Sequence, residues 1–181
     1  MLEELIIGFN LIAKSFISQP SIWWFLAPIF ILWIIMEIYF GQYKKERIGW
    51  NSILANGVSF SWINIASFRV LFLEKTYGVN DFTIRIIILS LFFLYGITII
   101  YIAFSHKLPE KLGYFIAGPT TIYFLSMVSV LWGQGVLEIS KWILIDFIVI
   151  YFIIHLIFWL IKKQLGMLGE VEAIEKGEKP L

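Results

Sequence analysis

The sequence predicts an all-α polytopic membrane protein, a bundle of five transmembrane helices preceded by an amphipathic helix lying in the membrane interface. Composition is the first reason. Of the 181 residues, 60% are hydrophobic and only 15% charged, against about 45–50% and about 25% in an ordinary soluble domain. The second is run length. Apolar stretches at about 22–40, 51–73, 82–104, 112–132 and 141–161 match the roughly 20 residues that carry a helix across a 30 Å hydrocarbon core. The third is that the basic residues of the connecting loops alternate in density as five crossings require. The loops are short, so residues 22–161 form one transmembrane domain between an interfacial helix (1–18) and a charged tail (162–181).

In residues 1–18, Leu2, Leu5, Ile6, Phe9, Ile12, Ala13, Phe16 and Ile17 fall on one helical face. Glu3, Glu4, Asn10, Lys14, Ser15 and Ser18 fall on the other. Such a helix suits the interface plane. A cleaved signal peptide would start basic and end in small residues, whereas this segment starts acidic. Gln19-Pro20 stops the helix, because proline disfavours a helical residue before it. The first span opens on Trp23 and Trp24, contains Pro28 and carries Glu37 one turn from its end.

The second span is the most polar, with three asparagines, four serines and Arg69 between Asn51 and Arg69. At about 100° per residue, Ser52, Asn56, Ser59 and Ser67 share a side, and Asn64 lies about a quarter turn away. Polar groups in hydrocarbon need partners, so this side is expected to face protein or water, with the other spans packed around it. The third span carries Arg85 one turn after Asp81. Within the fourth, Gly118-Pro119-Thr120-Thr121 predicts a proline kink rather than a full break. The fifth holds Asp146 and His155. After Lys162-Lys163 the tail is charged and glycine-punctuated, and it is expected to fray from Glu170.

Lys44, Lys45, Arg47, Lys107, Lys111, Lys162, Lys163, Lys176 and Lys179 collect on one side, against Lys14, Lys75 and Lys141 on the other. That asymmetry places the C-terminus in the cytoplasm and the N-terminus outside.

A formal net charge of +1 gives no electrostatic footprint for nucleic acid. The chain has no cysteine and two histidines, which removes thiolate, zinc–thiolate and iron–sulfur chemistry. No cofactor or metal is expected. Nucleophile-elbow, zincin and phosphate-loop motifs are missing, so the chain is not read as an enzyme.

Ionisable residues inside spans are the default functional candidates. Arg69 with Asp146 forms one possible pair, as an outer gate or anion site, against snorkelling of the arginine to the surface. Glu37 with His155 forms another, as a proton relay, against separate structural roles. The functional candidates are therefore Glu37, Ser52, Asn56, Ser59, Asn64, Ser67, Arg69, Asp146 and His155. They fit a channel- or permease-like role with the polar side of the second span lining the route, in a homo-oligomer within the bilayer. The alternative is a non-catalytic subunit or scaffold among other membrane subunits, and an intramembrane enzyme acting on lipid ranks last.

Overall fold

The computed structural model describes residues 2–42, 49–74 and 79–175. These form seven α-helices: α1 (Leu2–Ser18), α2 (Trp23–Gln42), α3 (Trp50–Glu74), α4 (Val79–Ser105), α5 (Glu110–Ala117), α6 (Pro119–Gly133) and α7 (Lys141–Glu175). A single 3-10 turn, Pro20–Ile22, joins α1 to α2. Among the described residues there is no strand. The basic loop around Lys44, Lys45 and Arg47, the connector holding Lys75, and the end of the tail with Lys176 and Lys179 lie outside them.

Four helical stretches are long and apolar enough to cross a membrane: Pro20–Gly41, Asp81–Ser105, Phe115–Gly133 and Lys141–Leu165. The helix of the second expected span, α3, is not among them. Its 25 residues would extend about 37 Å, but its asparagines and serines lower its hydropathy. At the other end of the chain, α7 runs on to Glu175 where fraying was expected.

The bundle is organised around α6 and not around α3. Thirteen of the 15 residues of α6 are buried, as expected only for a helix surrounded by others. One side of α6 carries α3 and α4, another carries α2, and α7 packs mainly on α2. From Ile22 of the 3-10 turn the buried residues continue along α2 as Leu26, Ile29, Trp33, Glu37 and Gly41, a seam spaced by three and four residues as in a coiled coil. The opposite side of α2, with Ile31, Leu32, Ile34, Ile35 and Ile38, is equally apolar but exposed, as lipid-facing surface must be.

The closest crossing joins α3 to α4. A Cβ added at Gly57 would lie 2.9 Å from Ile99 Cγ2 and 3.2 Å from the Ile100 backbone nitrogen. One added at Gly96 would lie 3.2 Å from the Ser61 nitrogen and would collide with the Ser61 hydroxyl. That hydroxyl donates to Gly57 O at 2.8 Å. Small residues thus let two backbones meet where no hydrophobic force drives association.

Helix α1 lies against the first turns of α7 and against the 3-10 turn. Its inner seam is Gly8, Ile12 and Ser15, flanked by half-buried Leu5, Phe9 and Phe16. Ile6 and Ile17, expected on the same face, are exposed. The Trp23 indole donates to Phe16 O at 2.7 Å, tying the end of α1 to the start of α2. Phe16, Trp23, Phe30 and Trp33 continue that join as an aromatic run, with successive ring centroids 6.1, 5.9 and 6.4 Å apart.

A valine at Gly96 overfills the α3–α4 crossing. Gly96→Val is expected to lower stability by about 1–3 kcal/mol, read as an earlier unfolding midpoint on titrating micelles with a denaturing detergent. The same substitution at exposed Ile97 should leave the midpoint in place.

Candidate functional site

The Gly118–Pro119 step breaks the expected fourth span in two. Gly118 is extended (φ −63°, ψ 153°) between α5 and α6, so the feature is a full break where a kink was expected. Proline lacks an N–H and disfavours a helical residue before it. The last carbonyls of α5 and the first turn of α6 therefore lose helical partners, and in hydrocarbon they must find others.

Side chains from four helices converge on residues 116–121, two of them on freed carbonyls and two on threonine hydroxyls. From α3, the Asn56 amide donates to Ala117 O at 2.7 Å. From α4, the Tyr95 hydroxyl donates to Ile116 O at 2.7 Å. From α2, a Glu37 carboxylate oxygen accepts a short hydrogen bond from the Thr120 hydroxyl. From α7, the Tyr151 hydroxyl lies 3.0 Å from that of Thr121.

Glu37 is the centre of this arrangement. Its side chain is completely buried, and its second oxygen forms an ion pair with the Lys162 ammonium of α7, whose side chain is 27% exposed. The carboxylate also sits beside the first turn of α6, where the helix dipole favours negative charge. The two partners are unequal. Lys162 has a long stem and partial access to the surface, so its ammonium can leave, whereas Glu37 is held from both sides. Once Lys162 leaves, the carboxylate must take another cation or a proton, because a bare buried charge is strongly disfavoured.

The other expected candidates are dispersed. Asn64 donates to Phe60 O and accepts from Ser129 of α6, each at 2.8 Å. Ser67 is buried, Ser52 half-buried and Ser59 exposed. The buried side of α3 runs through Ile53, Asn56, Phe60, Asn64, Ser67 and Leu71, about a quarter turn from the side the polar residues suggested. His155 is exposed and has its ring beside Tyr151, centroids 6.1 Å apart. Its expected pairing with Glu37 is replaced by Lys162, which lies about two helical turns, roughly 10 Å, further along α7. Arg69 is exposed, as snorkelling predicts. Asp146 is fully buried with neither oxygen hydrogen-bonded, so the Arg69–Asp146 pair does not form.

Arg85, also fully interior, closes the other end of α6. Its guanidinium donates a short hydrogen bond to Trp132 O and a second, at 3.1 Å, to Leu137 O. A cation there complements the helix C-terminus. The turn out of α6 is made by Gly135 at φ 71°, a conformation glycine adopts without strain.

Between α4 and α7, a groove of about 550 Å³ opens onto α6. Its wall is apolar, with Phe92, Phe124, Trp132, Phe147, Tyr151 and Phe152 among aliphatic residues, and Thr121 lines it as well. Among the described residues no three His, Asp or Glu side chains come together to hold a metal ion.

Several of these residues gave little signal in the sequence. Lys162 reads as an ordinary boundary lysine, and Tyr95 as one more aromatic in an apolar span. Thr120 stands in the one motif that pointed here, Gly118-Pro119-Thr120-Thr121. Comparison with family models, with curated proteins and with solved structures found no match to this chain.

The ion pair makes a clear energetic prediction. Lys162→Met leaves Glu37 buried and unpaired, and should destabilise the protein toward the low end of about 3–5 kcal/mol, since Lys162 keeps partial access to the surface. Adding Glu37→Gln to Lys162→Met should recover most of that loss. The double-mutant cycle, measured by equilibrium unfolding in micelles, is expected to show strong coupling between the two positions.

Proposed function

We propose that the protein is a small permease-like membrane protein whose exchange site is the Glu37–Lys162 pair at the break in its central helix. The observation that carries this reading is a fully buried carboxylate, fixed by Thr120 and neutralised by a cation able to withdraw. Discontinuous helices at the middle of a bundle place backbone groups and helix ends beside charged substrates in secondary transporters. Here the carboxylate suits a cation or proton. The route runs along the break and not along the polar side of α3, because Asn56 is spent in a bond to α5 and Asn64 in one to α6.

In this reading α2, α3, α4, α5 with α6, and α7 are the five spans, and α1 lies at the outer interface. The N-terminus is outside and the C-terminus cytoplasmic, which puts Lys162 at the cytoplasmic end of its span. The protein acts without a cofactor or catalytic residue, in the bilayer, as a homo-oligomer.

A second reading has its own support. The groove between α4 and α7 reaches α6 at Thr121 and Leu125, its two residues that are not buried, as a subunit of a larger membrane complex would if a partner helix seated there.

The test is ion movement in proteoliposomes, followed with an internal pH-sensitive dye under imposed proton, sodium and potassium gradients. Wild-type protein should dissipate one of these gradients faster than empty liposomes. Glu37→Gln should reduce the rate to that of empty liposomes while the protein stays folded, and Ser59→Ala should leave it unchanged. Inert wild-type protein, together with stoichiometric foreign chains after gentle extraction from the native membrane, would favour the subunit reading.

A further inference from the structure

At the opposite end of α7 from Lys162, a second buried carboxylate is used neither by the break nor by the exchange site. Asp146 has no exposed surface, and neither of its oxygens has a hydrogen-bond partner. It is covered by α1, at the one position of the inner seam that lacks a side chain. A Cβ on Gly8 would collide with Asp146 Oδ2 and lie 3.0 Å from its Cγ. Ile12 and Ile143, both buried, belong to the same apolar join.

The charged groups on the surrounding elements point elsewhere. Glu3, Glu4 and Lys14 of α1, Glu138 of the α6–α7 connection and Lys141 of α7 are all exposed. On α2, Glu37 is committed to Lys162 and Thr120. No counter-charge therefore reaches Asp146, and an ionised carboxylate enclosed without partners is strongly unfavourable. The form that this packing accommodates is the neutral acid.

We propose that Asp146 is a proton-binding site and that α1 is its lid, seated on α7 through Gly8 while the proton is bound. Loss of the proton creates a charge that only water can stabilise, so the Gly8–Asp146 contact opens and α1 moves off α7. A proton arriving from the same side reseats it. The small inner residue and the large exposed flanks of α1, Ile6 and Ile17, suit a helix that leaves α7 yet stays at the membrane.

The chain has no cysteine, so spin labels can be placed at Asn10→Cys and Val149→Cys, both exposed, in full-length protein in liposomes. The distance between them is read by pulsed electron spin resonance from mildly acidic to alkaline pH. The proposal expects a short, narrow distribution in acid that lengthens, on raising pH, by a helix diameter, ~10 Å. With Asp146→Asn, a neutral isostere, the short distance should persist at every pH. Gly8→Val should give the long distance even in acid, and Asp146→Ala added to it should restore the short one.

An unchanged wild-type distance across the range overturns the proposal, and that series needs no variant to fold. So does an Asp146→Asn protein that opens with pH as the wild type does.

Discussion

A helix cannot be interrupted inside hydrocarbon without new partners for the backbone groups it releases. That constraint, applied at Gly118–Pro119, accounts for much of the polar chemistry of this molecule. Asn56 and Tyr95 take the last carbonyls of α5, and Glu37 takes the Thr120 hydroxyl at the start of α6. Glu37 in turn requires Lys162. Each tie comes from a different helix, so the break joins α2, α3, α4 and α7 to a single short segment. The same logic holds at the far end of α6, where Arg85 donates to Trp132 O of the last turn and to Leu137 O of the connection that follows.

Apolar packing does the complementary work. Lipid and protein interior are equally apolar, so the hydrophobic effect does not decide which side of a membrane helix turns inward. Here the choice falls to small residues and polar groups. Gly57, Ser61 and Gly96 bring α3 and α4 together, while Gly8 lets α1 close over Asp146. The aromatic residues then fill the spaces between helices, as in the Trp33, Phe124, Phe147 and Trp132 contacts around α6.

That division explains what could be read from residues alone. Helix positions were legible because tryptophans, prolines, glycines and charged residues punctuate the apolar runs. Facing was not. In α2, lipid-facing and core-facing residues are both large and apolar, so only Glu37 marks the inner side. In α3 the serines misled, because a serine hydroxyl can be satisfied by its own helix, as Ser61 is by Gly57 O. Asparagine is a better marker: its amide has more donors and acceptors than one helix satisfies, and both Asn56 and Asn64 reach α5 or α6. The candidate site was half visible. Glu37 and the Gly118-Pro119 step stood out singly, but their meeting depends on a packing order that no local pattern encodes, and Lys162 looked like a span boundary.

The central claim is that Glu37 is an ionised, water-excluded carboxylate bound to Lys162 at the break. Isotope-edited infrared spectroscopy addresses it directly, with glutamate side chains carbon-13 labelled and the wild-type spectrum set against that of Glu37→Gln. The difference should contain an ionised carboxylate band that does not respond to exchange into heavy water, and Lys162→Met should convert it to the band of a protonated acid. A protonated band in the wild type, or an ionised one that exchanges freely with solvent, would contradict the account.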